Sequence, residues 1–264
     1  MTERAGWRQW PWAILALALG VRLLLLLWSG TYHPFGDPFD YDQLGQSLAE
    51  EGQYRATLFA EPGTASAYRP PAYPYWVAGF YEVFGTPSYD AVRIAGALLG
   101  TLVVLLVWLL GWRVVGERAA WWAALVAALA PSLAWIHAGL LSETLYLPLV
   151  LAAVLLVLRL AETPSWRWAL AAGLVLGVSV MTRTNGLVVL LPLLAGAWVA
   201  RRSWRDCAVL LAGFVIALAP WTIRNAVVFG EFLPLGTQAG FTAVGVYNDE
   251  AAQGTLYGVW RGPE

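Results

Sequence analysis

Apolar residues fall in long runs, from Trp12 to Gly30 and from about Ile94 to Trp112, Ala119 to Ile136, Gly139 to Leu158, Trp168 to Thr182, Gly186 to Ala200 and Cys207 to Ile223. A helix rising about 1.5 Å per residue needs about 20 mainly apolar residues to cross about 30 Å of hydrocarbon. The pattern therefore predicts about seven transmembrane helices in an all-α polytopic membrane protein. The first run is too long for a secretory signal, shows no small-residue cleavage site and is followed by further spans, so it reads as the first helix.

Residues 31–90 interrupt this pattern and form a large first outer loop. Within it, "YDQLGQSLAEEG" places Leu44 and Leu48 on one face at i, i+4, which predicts a short amphipathic helix. "YPYWVAGFYEVFG", from Tyr73 to Gly85, would reach only about 20 Å as a helix and is rich in Tyr and Trp, so a juxtamembrane or re-entrant helix is expected. The loop is expected to lie on the membrane. Residues 1–223 form the membrane module, and 224–264 an outer C-terminal segment that reads as the start of a longer loop.

Composition supports the bilayer as solvent. The 264 residues are 59% hydrophobic and 12% charged, and the mean hydropathy is +0.60. A single cysteine, Cys207, excludes an internal disulfide and any cysteine-built metal site. All 16 basic residues are Arg, which a GC-rich genome explains, although a guanidinium fork also suits phosphate. Most of the 16 Trp, among them Trp7, Trp10, Trp121, Trp122 and Trp166, read as interface anchors. Nothing points to a nucleic-acid partner.

The formal charge of −1 hides an asymmetry. With the N-terminus on the cytoplasmic side, the inner loops receive Arg4, Arg8, Arg113, Arg118, Arg159, Arg167, Arg201, Arg202 and Arg205, as the positive-inside tendency expects. The same threading leaves only Glu3, Glu117, Glu162 and Asp206 of the acids inside. This predicts a bacterial-type cytoplasmic membrane with polar clusters on the outer face: Asp37, Asp40 and Asp42 after the first helix, "WIHAGLLSETLY", "MTRTNG" and "PWTIRNAVVFG".

Asp37 to Tyr41 as a DxxxY motif, followed in order by "AYRPPAYP", "VFG", "VRIAGALLG", "LLSETLY", "TRTNGLVVLLP" and "PWTIRNAVVFG", resembles the GT-C membrane glycosyltransferases. Within them, the resemblance is to the group that holds protein O-mannosyltransferases and lipid A aminoarabinose transferases. It implies a seven-helix module, a catalytic acid in the first outer loop and a polyprenyl-phosphate sugar donor. It also implies an acceptor lipid, glycan or protein, and a second acidic residue at Glu143. Members of the group usually carry more helices than this chain.

Such a transfer needs a base for the acceptor hydroxyl, cations for the departing phosphate and access for an isoprenoid chain. Asp37 is the expected base, and turn capping before Pro38 is its competing explanation. Asp40 and Asp42 are expected to be solvated or to cap a turn. Glu143, at the end of an apolar helix, is the second catalytic candidate, either orienting the acceptor or sharing a divalent metal with Asp37, with His137 assisting. Arg69 and Arg183, and more weakly Arg224, are candidates for the donor phosphate, with snorkelling to lipid headgroups as the alternative. Snorkelling is the stronger expectation for Arg93 and Arg224, at span ends, and Arg22 inside the first helix has no named partner. Tyr41, Asn185 and Asn225 are supporting candidates.

Two other classes compete. A transporter or flippase for a lipid-linked sugar would need polar groups at mid-membrane or inverted repeats, and the charges instead cluster at span ends. A non-catalytic scaffold subunit would lack donor binding.

Overall fold

The computed structural model describes residues 11–55 and 63–253. The inner-side charges expected at Glu3, Arg4 and Arg8, the anchors Trp7 and Trp10, and the end of the C-terminal segment lie outside the described residues. The helices, in chain order, are α1 (Trp12–Trp28), α2 (Asp37–Glu51), α3 (Ala72–Phe84), α4 (Tyr89–Val114), α5 (Glu117–Leu129), α6 (Pro131–Ala138), α7 (Glu143–Glu162), α8 (Trp166–Thr182), α9 (Leu187–Arg201), α10 (Trp204–Phe229), α11 (Gln238–Val246) and α12 (Asp249–Gln253). A 3₁₀ turn, Thr184–Gly186, leads into α9. Among the described residues the only β pairing outside the helices is an isolated bridge between Arg55 and Ala65.

The chain is an all-α integral membrane protein. Four helical units, α4, α7, Thr184–Arg201 and α10, are long and apolar enough to cross a bilayer, and α5 with α6 makes a fifth if the bent pair is one span. The apolar α1 and α8 have 17 residues each, about 26 Å at the usual rise. Length and composition therefore support four or five crossings, and each of the seven expected runs is matched by a helical unit without all of them reaching full span length.

One expected span is corrected. The run Ala119–Ile136 is not one helix: α5 stops at Leu129, Pro131 opens α6, and the two are bent by 54°. Proline has no N–H to donate and its ring clashes with the preceding turn, so it starts a helix more easily than it continues one. The break exposes carbonyls at the end of α5. Arg22, fully buried on α1, answers one of them, donating through Nη1 to Ala128 O at 3.4 Å and to Ala18 O at 2.9 Å. Its partner is thus a helix end and not a carboxylate.

Close packing relies on small residues, as membrane helix contacts often do. Gly173 and Gly177 on α8 face Gly213 and Ala217 on α10, and a Cβ on Gly177 would lie 2.5 Å from that of Ala217. Within the segment between α1 and α4, α2 packs into the bundle. Leu44 and Leu48 of α2 join the buried cluster that includes Ala153, Leu176 and Phe214. Gly45 lets α2 approach α3, since a Cβ there would meet Val77 Cγ1 at 2.5 Å.

Contacts sort the helix ends into two groups. The α1 C-terminus, the α4 and α7 N-termini and the α8 C-terminus gather at one end, around Ser29, Arg93, Ser142 and Arg183. At the other, Arg113 of α4 meets Glu162 of α7, and Arg201 meets Asp206.

Candidate functional site

The site is built at the first of these ends. Gly36, with φ 68°, turns the chain out of the α1 linker, and Pro38 fits the first turn of α2, whose missing N–H bonds cost proline nothing there. Asp37 and Asp40 therefore lie at a helix N-terminus, where the helix dipole favours carboxylates. Arg69 bridges them, with Nε donating to Asp40 Oδ2 at 2.5 Å and Nη2 to Asp37 Oδ1 at 2.6 Å. Asp40 and Arg69 are 1% and 3% exposed, whereas Asp37 is 53% exposed and open to an incoming molecule.

The expectation that Asp40 and Asp42 are solvated or capping is overturned. Asp40 is a buried ion-pair partner. Asp42, 2% exposed, accepts from Tyr81 at 2.7 Å, Tyr89 at 3.0 Å and Gln46 at 2.9 Å. Buried carboxylates survive when donors surround them, and α3 and α4 supply these.

A second cluster lies beside the first. Arg183 leaves α8 in extended backbone and pairs through Nη1 with Glu143 Oε1 at 2.6 Å, while donating to Ser142 Oγ at 3.1 Å. Tyr41 links the clusters. Its hydroxyl donates to Ser142 Oγ at 3.0 Å, and the Arg69 guanidinium lies 5.0 Å from its ring centre. Burial pushes the Tyr41 phenol above its ordinary pKa, so it is a neutral donor near neutral pH. Burial opposes the charge on Arg69, while its hydrogen bonds to Asp37 and Asp40 favour it, and the guanidinium stands above its ordinary value.

Tyr41, Arg183, Thr184 and Asn185 line a cavity of about 370 Å³, closed on another side by Gln238, Ala239 and Thr242 of α11. The C-terminal segment folds back over the site: Thr237 N–H donates to Ala67 O at 2.9 Å, and Phe241 packs edge-on against Tyr68. Ser142 and α11 are the contributors that the sequence did not single out. Ser142 is fully buried and lies inside "LLSETLY", next to Glu143, which was the only available signal.

The structure does not bring all the candidates together. His137 is fully buried on α6, with Nδ1 bonded to Leu133 O at 2.5 Å and its ring crowded with Arg22 against Gly100, so it faces α1 and α4 instead of Glu143. Asn225 is fully buried, donates to Leu233 O at 3.0 Å and accepts from Arg224, which ties down the chain after α10. Arg224 donates to Ser66 O at 2.6 Å and Tyr54 O at 3.3 Å and lies over Trp221. It lines a separate, largely apolar cavity of about 360 Å³ with Pro71, Tyr75 and Trp221. Arg69 is committed through two arms to carboxylates and is nearly inaccessible, and Arg224 lies on the separate apolar cavity, so of the three arginines proposed for phosphate Arg183, 30% exposed, is the one on the cavity that Tyr41 lines. A divalent-metal site does not fit. Asp37 and Glu143 each face an arginine, and no group of three or more His, Cys, Asp or Glu suited to a metal occurs among the described residues.

Comparison with solved structures finds the same fold in ArnT from Cupriavidus metallidurans bound to undecaprenyl phosphate, with a TM-score of 0.65 and 22% identity over 86% of this chain and 43% of that one. The apo state of the same protein matches with a TM-score of 0.61 and 22% identity, over 84% of this chain and 43% of that one. The archaeal oligosaccharyltransferase AglB from Archaeoglobus fulgidus, in complex with an inhibitory peptide and a dolichol-phosphate, matches with a TM-score of 0.52 and 18% identity, over 88% and 36%. This chain thus spans less than half the length of these neighbours. No curated protein matches it significantly. A family model described as dolichyl-phosphate-mannose-protein mannosyltransferase matches residues 68–223, which hold Arg69, Ser142, Glu143 and Arg183 and make up more than half of the sequence. The chain belongs to the dolichyl-phosphate-mannose-protein mannosyltransferase family, within the GT-C fold.

Proposed function

We propose that this chain transfers a sugar from a polyprenyl-phosphate donor to a hydroxyl or phosphate oxygen of an acceptor lipid, glycan or protein, on the outer face of a bacterial-type cytoplasmic membrane. The observation that carries this reading is the accessible Arg183, held by Glu143 and Ser142 on a cavity that Tyr41 shares with Asn185. A fixed guanidinium beside an enclosed space is suited to a phosphate, to which it can make paired charge-assisted bonds. The family's name specifies a lipid-phosphate sugar, and the two neighbours were solved with undecaprenyl phosphate and dolichol-phosphate, which supports a polyprenyl carrier.

In the proposed step an acceptor oxygen attacks the anomeric carbon while the bond from that carbon to the phosphate oxygen breaks. The bonding electrons leave with the phosphate, and a hydroxyl acceptor's proton passes to Asp37. Arg183 stabilises the charge that grows on the phosphate, an interaction that strengthens towards the transition state. Arg69 holds Asp37 in place through a planar two-armed grip, and its proposed role thereby shifts from binding phosphate to orienting the base. Glu143 in turn orients Arg183. Residues 224–264 are proposed as an outer segment, of which α11 covers the cavity.

Transfer from a synthetic polyprenyl-phosphate sugar by the full chain in nanodiscs, with donor binding measured separately, tests the reading. Binding with turnover is expected. A folded chain that neither binds nor transfers would defeat it and favour a scaffold subunit.

A further inference from the structure

Arg93 lies just inside α4, where the sequence suggests a lipid-headgroup anchor. Its side chain is instead 2% exposed and turned into the bundle. Nε donates to Ala138 O, at the end of α6, at 2.7 Å, and Nη2 donates to Ser29 Oγ, at the end of α1, at 2.5 Å. The guanidinium also lies 4.6 Å from the ring centre of Tyr32, and the Tyr32 hydroxyl accepts from Leu140 N–H at 3.0 Å. Asp90 adds a looser contact at 3.5 Å from its 90% exposed side chain.

These partners belong to two segments. Ser29 and Tyr32 start the linker that delivers Asp37. Ala138 and Leu140 start the turn that delivers Ser142 and Glu143. The α4 surface between them is hollowed out by glycine: a Cβ on Gly96 would meet His137 O at 2.5 Å, so the end of α6 reaches α4 only because that position has no side chain. Thr144 Oγ1 closes the turn by donating to Ile136 O at 3.1 Å.

We infer that Arg93 is a positioning residue that sets the separation of the two acid-bearing segments, Asp37 on one and Glu143 on the other. This rests on the sugar-transfer reading above. The two short bonds of Arg93 go to neutral oxygens, so charge neutralisation does not explain the arrangement. A rigid planar fork does, because it fixes the direction of both acceptors at once. A cation at the C-terminal carbonyls of α6 is further favoured by the helix dipole. In a water-poor interior each of these bonds is costly to leave unmade, so the spacing resists relaxation. Reacting groups misplaced by about 1 Å can lose about 10² in rate.

The test uses Arg93→Lys, Arg93→Gln and the milder Tyr32→Phe. Lys keeps the charge and the apolar stem but reaches only one of the two acceptors. Its expected signature is near wild-type donor affinity and a folded chain with a modest loss of thermal stability, with kcat about 10- to 100-fold lower. Tyr32→Phe should shift kcat in the same direction by less, and it keeps the test alive if Arg93→Gln fails to fold. Spin labels at Phe35→Cys and Trp135→Cys, both at exposed positions, read the separation of the two segments in a Cys207→Ser background. Pulsed electron spin resonance should give a narrow distance distribution with Arg93 and a broader or shifted one with Lys. Unchanged kcat in Arg93→Lys and Tyr32→Phe overturns the inference, as does a loss of kcat with an unchanged distance distribution. If the wild-type chain transfers no sugar, the functional reading fails, and the distances alone still decide whether Arg93 sets the spacing.

Discussion

At one end of the bundle Arg69 lies 3% exposed between Asp37 and Asp40, at 2.6 and 2.5 Å; at the other, Arg159 and Glu162 meet at 3.3 Å with 44% and 46% of their side chains exposed. The second end is built from longer pairs, Arg113 with Glu162 and Arg201 with Asp206 each at 3.5 Å, and the Arg159–Glu162 pair is exposed on both sides. Exposed pairs of this kind contribute about 0–1 kcal/mol. Buried pairs carry a desolvation cost that can cancel their attraction, so stability alone gives little reason to keep them. The same residue types therefore serve different ends. Under the proposed function, one group marks a membrane face, and the other holds a geometry that sugar transfer would use.

The sharpest way to break this comparison is topological, because its outcome is all or none. Single cysteines at Phe35 and Val115, which are 91% and 75% exposed and lie at the two ends, should react with an impermeant reagent from opposite sides in a Cys207→Ser background. Labelling of both from one side would collapse the two ends into one face. Next comes Asp37→Asn, which keeps shape but cannot take a proton, and turnover should fall by about 10² to 10⁴ with donor binding retained. Near wild-type turnover would remove Asp37 as the base.

Arg69→Met should be the most damaging change to stability among the charged residues discussed, since it strips Asp40 of its buried cation. Breaking such a pair costs about 3–5 kcal/mol. Denaturant unfolding of the detergent-solubilised protein checks this, and a cost under about 1 kcal/mol would place Arg69 with the longer pairs. Arg183→Lys should lower turnover about 10-fold or more while donor affinity falls less, because charge is kept and the paired grip on phosphate is lost. Equal loss in both would mean that Arg183 serves only ground-state binding. The smallest effect is expected from Glu162→Gln at the far end: under about 1 kcal/mol in unfolding and no change in transfer. A large loss of activity there would show that the two ends are coupled.

Much of the fold was legible because apolar run length is a direct consequence of bilayer thickness and helix rise. The helix over Tyr73–Gly85 emerges as α3, and Leu44 with Leu48 face inward as their spacing implies. Pro131 marks the break in the chain, but the apolar residues on either side of it make one continuous run. Asp37 with Arg69 and Glu143 with Arg183 form two clusters linked by Tyr41 and Ser142, beside a cavity that Asn185 lines, while His137, Arg224 and Asn225 make their contacts elsewhere. Burial is where the sequence reading failed most. Asp40, Asp42 and Arg93 look like surface charges by position, and each is nearly inaccessible.

The sequence by itself determined the solvent this chain needs, the helical class, the approximate span limits and the residues with usable charge. These follow from local properties: run length, periodicity and residue chemistry. Only the tertiary structure decided which charges meet. Arg69 reaches Asp40 across 29 positions, Arg183 reaches Ser142 across 41 and Arg93 reaches Ser29 across 64. Such pairings depend on helix rotation, on glycines that let backbones approach and on a proline that bends a span. None of these is fixed by the spacing of residues along the chain, because a side chain's partner is set by packing among helices that are distant in sequence.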